Sequence, residues 1–452
     1  MNGILKILID IASTPAILVA LIAVLGLMLQ KKPVSDIVRG GIKTFIGFLV
    51  VTAGANVIVS SLEPFGAMFQ QAFNVSGVVP NNEAIVALAL EEFGTYTALI
   101  MLSGMVFNII IARITKYKYI YLTGHAMLYM ACLIAVILTT TGMSGVVLVT
   151  VGGLALGLAN TLAPAVAQPF TRLITKNDSV ALGHTGNFGY AFSGLVGKLI
   201  GNKEQSTEDI NFPKGLSFLR DSTVSITITM TIVYIIVAIF AGADYITENL
   251  SDGTNHIIFA LQRAGAFAAG VFVILSGVRL ILAEIVPAFK GISEKLVPNA
   301  IPALDCPIVF PYAPNAVLIG FFSSFIGGIV SLVIMALTGS VIILPGVVPH
   351  FFCGATSGVY GNATGGLRGA VVGSFLQGIL ISFMPIFLMP VMGNLGFAGS
   401  TFSDTDYGVV GIIMGSLANR GGQIAVIAGL LVVLAVMLVL TRMDKSKQVV
   451  NN

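Results

Sequence analysis

The sequence predicts an all-α protein that crosses a membrane many times, and three observations support that prediction. Of its 452 residues, 56% are hydrophobic and 10% are charged, whereas soluble domains carry about 25% charged residues. The mean hydropathy is +0.97, which is incompatible with a surface that faces water. Apolar runs of about 20 residues recur, each long enough to cross a hydrocarbon layer about 30 Å thick. A nucleic-acid-binding surface is excluded, because no stretch is polar enough to form one.

Eleven apolar segments are predicted to be transmembrane helices. The first follows Lys6 and precedes no small-residue cleavage site, so it is interpreted as a retained span rather than a signal peptide. The predicted spans lie near residues 8–30, 44–62, 95–112, 124–142, 144–169, 223–243, 257–283, 314–337, 341–360, 370–392 and 421–441.

Basic residues set the predicted orientation. Lys and Arg are enriched in cytoplasmic loops of membrane proteins, and here 19 of the 23 basic residues fall in alternate loops between the predicted spans. Lys6, Arg263 and Arg420 fall on the other side, and Arg279 lies within a span. An eleven-span chain with its N-terminus outside and its C-terminus in the cytosol fits this distribution.

The two halves of the chain align with each other, which indicates an internal repeat. Pro64 matches Pro287 at an offset of 223, and Val-Pro-x-x-Glu at 79–83 matches Ile-Pro-x-x-Asp at 301–305 at an offset of 222. Five predicted spans separate equivalent positions, and an odd number inverts the orientation of the second copy. Inverted repeats with a solute site between them are a recurring plan of transporters. The predicted units are residues 1–222, residues 223–420, and an eleventh span with a cytosolic tail at 421–452.

Four segments are too polar or too broken by Gly and Pro to span the membrane as helices. Irregular backbone survives at membrane depth only where protein or a water-filled cavity satisfies its polar groups. These segments are therefore predicted to be re-entrant hairpins that line a cavity, and ordinary surface loops are the alternative. They lie near residues 78–93, 178–198, 298–312 and 398–419.

Two acidic residues follow the matched prolines. Glu83 and Asp305 are costly at bilayer depth unless they line a cavity or have a partner, so both are candidate acceptors for solute hydroxyls. The alternative is that each carboxylate caps the start of a helix. Glu284 and Arg279 are also charged residues in an apolar segment, and a buried or interfacial structural pair is the favoured interpretation for them.

Two histidines each follow a glycine at the edge of an apolar segment. His125 and His184 can donate and accept hydrogen bonds at once, which suits a polyhydroxyl ligand, although a lone buried histidine is often structural. The offset of 222 places His184 opposite Asp406. His350 and Cys353 form the nearest approach to a metal-binding pair, but further ligands are missing from the pattern. No disulfide framework, nucleotide loop or protease motif is present, so no cofactor and no metal are expected.

Several strings resemble the ascorbate-type permeases of the bacterial phosphotransferase system. They include Leu-Thr-Gly-His-Ala-Met at 122–127, Gly183-His184, and Asp305-Cys306 followed by Ala-Pro-Asn-Ala-Val at 313–317. The similar strings run in the same order from about residue 30 to 440. Where those permeases carry glutamines, this chain has Tyr129 and the run Thr-Gly-Asn at 185–187. The side chains available for hydrogen bonds to the solute therefore differ. The solute is therefore ascorbate or another pentose- or hexose-derived compound.

The resemblance implies a IIC component in the bacterial inner membrane. It would be a homodimer in which a scaffold domain holds a mobile core that carries the solute inward by an elevator-like movement. A phosphocysteine on a cytosolic IIB protein, itself phosphorylated by a IIA protein, would then phosphorylate the solute. The chain itself has no soluble segment long enough to be a IIB domain. The residues expected to border the solute site are Asp305, His184, His125 and Glu83, with Tyr129, Thr185 and Asn187 as the specificity shell.

Two other functions fit the sequence pattern. An ion-coupled symporter for a small polar anion or a nucleobase could use Asp305 and Glu83 as its coupling carboxylates. A structural membrane protein with no solute is the third possibility. If uptake depends on the general phosphotransfer proteins, the chain is a phosphotransferase permease and neither of these two alternatives.

Overall fold

The computed structural model describes residues 15–73, 77–210, 218, 221–397 and 399–450. Helices dominate, and the α-helices of seven or more residues in the described residues are numbered here in chain order. They are α1 Pro15–Leu29, α2 Val34–Phe73, α3 Asn82–Ile114, α4 Gly124–Thr140, α5 Gly145–Thr175, α6 Asn187–Ile200, α7 Ser222–Ala241, α8 Ala243–Asn249, α9 His256–Leu296, α10 Pro314–Thr338, α11 Ala355–Leu388 and α12 Thr405–Val450.

The protein is a multi-pass membrane protein. Seven helical segments in the described residues are long and apolar enough to cross a bilayer, and α7 with α8, bent by 98°, would make an eighth. Part of the difference from eleven arises because Val347–Val391 is one helical segment of 45 residues that covers two predicted spans. Moreover, α4 has 17 residues and is shorter than a full span. The count of eleven stays a prediction.

The helix α4 lies at the centre of the hydrophobic interior. Its residues from Ala126 to Leu138 are all buried, as expected of a helix that is hydrophobic on every side. It packs against α3, α5 and α12. The long helices α2 and α9 pack along each other and against α1 and α7, whereas α11 packs against α6 and α10. The chain thus forms one group of helices around α2 and α9 and another around α11.

Both α11 and α12 bend at a pair of glycines. Gly366 has φ +59° and ψ −150°, and Gly422 has φ +56° and ψ −147°. This backbone region is open almost only to glycine. Each bend divides a long helix into two segments, and in α12 the bend falls between the predicted polar segment 398–419 and the predicted span 421–441.

Within the described residues, six short strands form two parallel three-stranded sheets. In the first, β1 (Gly77–Pro80) lies between β5 (Ile342–Ile343) and β6 (Ser400–Thr401). In the second, β4 (Ile301–Leu304) lies between β2 (Tyr119–Tyr121) and β3 (Ala181–Leu182). Each central strand is therefore paired with two strands from the opposite half of the chain.

Each of the four segments predicted to be too broken to span the membrane contains one of these strands. Each segment predicted as a re-entrant hairpin consists of a short strand followed by a helical turn or the start of a helix. The backbone groups are satisfied by pairing between distant segments, with Val79 beside Ser400 and Ala181 beside Ala303, rather than within one hairpin. Arg279 and Glu284 lie on α9, but their side chains are outside the described residues, so the predicted pair stays untested.

Candidate functional site

The segments that follow the six strands of the two sheets all border one cavity. Parallel pairing places the carboxyl ends of the paired strands at the same edge of a sheet. Each of the six strands is followed by at least one residue that lines the cavity. The helices α3, α4, α6 and α12 begin in these connections. Their first N–H groups lack intrahelical partners and carry partial positive charge, so this region is suited to oxygen-rich ligands.

Six of the seven predicted site residues line the cavity. The seventh, Asn187, lies directly behind it, because its amide donates to the carbonyl oxygen of His184 at 2.5 Å. The lining residues are Asn82, Glu83, His125, Tyr129, His184, Thr185, Asp305, Val348, Pro349, Phe352, Asp404 and Tyr407.

The two acidic residues predicted from the repeat occupy different local roles. Asp305 caps the short helix that begins at Cys306, because its Oδ1 accepts from the Cys306 N–H at 2.7 Å. Its Oδ2 lies 4.0 Å from Nε2 of His125. Glu83 is not a cap, since Asn81 performs that role by accepting from the Ala84 N–H. Asp305 is therefore an N-cap, whereas Glu83 lies in the first turn of α3, and both carboxylates border the cavity.

Two of the residues that line the cavity each have a polar atom without a protein partner among the described residues. Oε2 of Glu83 and Nδ1 of His125 are buried and make no hydrogen bond there. An unsatisfied buried polar atom costs about 1–3 kcal/mol, and a ligand that bonds to it recovers this free energy. The Tyr129 ring packs edge-on against the His125 ring with centroids 5.8 Å apart, which fixes the imidazole beside the cavity.

Asp404 is a cavity residue that the sequence reasoning missed. It is buried, with 2% of its surface exposed. Its Oδ1 accepts from the Asn82 amide at 3.0 Å, and its Oδ2 accepts from the Thr185 hydroxyl at 2.5 Å. Asp404 thus joins the connection after β1 to the connection after β3. Its position in the predicted segment 398–419 was the available signal, because an acidic residue at membrane depth is rarely without a role.

The offset of 222 aligned His184 with Asp406, and no hydrogen bond joins these two residues among those described. Asp406 instead accepts from the Asn187 amide at 3.3 Å and from the Phe188 N–H at 2.9 Å. His184 has its Nδ1 2.5 Å from the Tyr190 hydroxyl. The Asn187–Asp406 bond spans 219 positions, and β3 and β6 also lie 219 positions apart, so a local offset of 219 is an alternative to 222 for the predicted repeat.

Other features lie outside the cavity. His350 is buried with its Nδ1 2.8 Å from the Ser324 hydroxyl, and His256 begins α9. A larger neighbouring cavity lies among α2, α7, α10 and the segment 344–348. Apart from Asn81 its lining residues are apolar, so it does not suit a polar solute.

Comparisons with known proteins concern the family of the chain. The family profile described as "PTS system sugar-specific permease component" matches residues 10–406. The chain is also similar to the "Ascorbate-specific PTS system EIIC component" of Mycoplasma pneumoniae, with 29% identity over 426 residues. That alignment covers 82% of this chain and 64% of the relative, so the chain spans less than two thirds of the relative's length.

Proposed function

Because the chain belongs to the sugar-specific permease components of the phosphotransferase system, we propose that it carries ascorbate or a related sugar-derived solute inward. The solute is then phosphorylated by a separate IIB protein, which a IIA protein supplies with phosphate. The observation that carries this proposal is the cavity itself. It gathers three carboxylates, two imidazoles and two phenol hydroxyls in a chain that is 56% hydrophobic.

The lining groups match a compact solute rich in hydroxyls. Carboxylates of Glu83 and Asp305 accept hydrogen bonds from solute hydroxyls, and a neutral imidazole of His125 can accept or donate. An imidazole N–H also suits the enolate oxygen of ascorbate, which is a monoanion at neutral pH. The similarity to an ascorbate-specific relative supports ascorbate as the first solute to test. Tyr129 and Thr185 form the specificity shell, with Asn187 behind them.

The inverted repeat remains part of the proposal, and the strand exchange supports it. Under an offset of 222, β1 corresponds to β4 and β2 to β5, and at the local offset of 219 β3 corresponds to β6. Each central strand takes its two neighbours from the other half. Two intertwined copies related by a pseudo-twofold axis would pair in this way. The cavity then lies between residues 1–222 and residues 223–420.

An elevator-like movement is proposed for the inward step. The cavity residues lie on α3, α4 and α12 and on the segments that follow β3, β4, β5 and β6. The group around α2 and α9 contributes none of them and is therefore the proposed scaffold. In the proposed homodimer, two such scaffolds would meet while each core moves with its solute.

The face that carries the basic loops is the proposed docking surface for IIB in the cytosol. Lys176 follows α5, Lys198 lies near the end of α6, and Lys203 lies in the loop after α6. Arg172 forms an ion pair with Asp178, and hydrogen bonds from Arg172 and Gln168 hold the pKa of the Asp178 carboxyl below its ordinary value. The proposed orientation in the bacterial inner membrane places the N-terminus outside and the C-terminus in the cytosol.

A binding screen tests the proposed solute. The purified chain is titrated with ascorbate, pentitols, hexitols and pentoses, in the parent protein and in an Asp305→Asn variant. The exposed Asp244 on α8 supplies a matched control, Asp244→Asn. We expect one compound of this set to bind the parent and the control equally, and to bind Asp305→Asn more weakly. Binding of none of these compounds by the parent protein would contradict the proposed solute class.

A further inference from the structure

A nitrogen, a sulfur and an oxygen ligand meet beside the cavity. In the described residues, one ligand atom each of His184, Cys353 and Asp404 lies within 4.8 Å of the other two. The three residues are 6%, 0% and 2% exposed. They come from three separate connections, namely those that follow β3, β5 and β6. The fold, rather than a short sequence motif, brings them together.

Two further observations concern the surroundings of His184. The Tyr190 hydroxyl lies 2.5 Å from Nδ1 of His184 and 3.8 Å from Sγ of Cys353, so it positions both the imidazole and the thiol. Hydrogen-bonding groups that contact metal ligands in this way fix the orientation of the ligands and strengthen binding of the metal. Asp305 and Cys306 form a second set of possible ligands with His184, so His184 belongs to both sets.

The chemistry of the three ligands selects the class of ion. Zn²⁺ and similar borderline cations bind a mixture of imidazole nitrogen, thiolate and carboxylate, and three protein ligands leave a fourth position open. Hard cations such as Mg²⁺ prefer oxygen ligands alone. We propose that His184, Cys353 and Asp404 bind one zinc-type divalent cation at the wall of the cavity.

This site differs from the pair that the sequence pointed to. The H-x-x-C spacing associated His350 with Cys353, but His350 has its Nδ1 against Ser324. Cys353 lies instead beside His184, 169 positions earlier in the chain. Only the pairing of distant connections brings the ligands within reach of one another.

Occupation by the ion would exclude the solute. His184 and Asp404 line the cavity, and the Asp404 Oδ2 that accepts from Thr185 is one of the carboxylate oxygens available as a ligand. A bound cation would therefore compete both with the Thr185 hydroxyl and with any solute in the cavity. This consequence for transport rests on the proposed function, whereas binding of the metal does not.

The test uses the full chain, purified in detergent, reduced and stripped of metal, with no sugar present. Zn²⁺ is titrated by equilibrium dialysis, and Co²⁺ is used to detect the thiolate-to-cobalt absorption band. The variant Cys353→Ser removes a proposed ligand, and Cys306→Ser removes one from the second set. Cys132→Ser is the matched control, because Cys132 is a free, buried cysteine on α4 that belongs to neither set.

We expect one ion per chain and a thiolate band in the parent, in Cys132→Ser and in Cys306→Ser. In Cys353→Ser we expect the band to disappear and the affinity to fall by more than about tenfold. In the parent, bound Zn²⁺ should protect Cys353 but not Cys132 from alkylation, a measurement that needs no variant. The proposal is overturned if the parent binds no ion, or if the band persists in Cys353→Ser. Loss of the band in Cys306→Ser alone would overturn it as well.

Discussion

Thr185 donates a hydrogen bond to Asp404 at 2.5 Å across 219 positions of sequence. Asn187 donates to Asp406 across the same separation. The first residue of each pair follows β3 and the second follows β6, and the strands themselves belong to different sheets. These two bonds connect the starts of α6 and α12, so the wall of the cavity is formed by contacts between residues far apart in the chain.

Thr185 and Asp404 should be energetically coupled through their hydrogen bond. Thr185→Val removes the donor and Asp404→Ala removes the acceptor, and each change should weaken solute binding by about 1–3 kcal/mol. Because both remove the same bond, the double variant should be weakened by less than the sum of the two. Calorimetric titration of the parent and the three variants measures this. Strictly additive losses would show that the two residues act independently on the solute.

Asp305 should be sensitive to neutralisation, because its carboxylate borders the cavity. In Asp305→Asn the side-chain oxygen can still accept from the Cys306 N–H, so the cap is preserved, but the negative charge near His125 is lost. We expect solute binding to weaken by about ten- to hundredfold, since about 1.4 kcal/mol corresponds to a factor of ten. Membrane insertion and oligomeric state, measured by gel filtration, should not change. If the variant binds and transports like the parent, the carboxylate is only a cap.

The two glycine bends provide a matched pair of substitutions. Gly366 and Gly422 have nearly the same backbone angles, and an alanine at either should cost about 1–3 kcal/mol of strain. A Cβ at Gly366 would also overlap the carbonyl oxygens of Asn202 and Gln205, whereas a Cβ at Gly422 meets no atom within 4 Å. Thermal unfolding followed by circular dichroism should therefore show Gly366→Ala to be the less stable variant. Equal melting temperatures would contradict this packing.

The predicted orientation can be tested at the chain ends. Single cysteines at Asn2 and Asn451, in a background without Cys132, Cys306 and Cys353, should label from opposite sides of the membrane. The reason is the alternation of Lys and Arg between loops. A membrane-impermeant maleimide applied to intact cells should reach the first position and not the second. Labelling of both ends from the same side would rule out an odd number of spans.

The sequence predicted the membrane class and most of the cavity, because both depend on local composition. A polar residue in an apolar run is conspicuous, which is why Glu83, His125, His184 and Asp305 could be selected. The strands could not be predicted, since β3 and β5 have only two residues each and their pairing joins distant segments. Asp404 was missed for the same reason, because its role depends on Asn82 and Thr185 rather than on its neighbours.

The coupling of uptake to phosphorylation tests the central claim most directly. Cells that express the chain with IIA and IIB proteins are given labelled ascorbate, with and without the general phosphotransfer proteins. The proposed function predicts that the label accumulates as a phosphate ester only when those proteins are present, and that Asp305→Asn lowers this accumulation. Accumulation of unmodified solute in their absence, driven by an ion gradient, would contradict the proposal and favour an ion-coupled symporter.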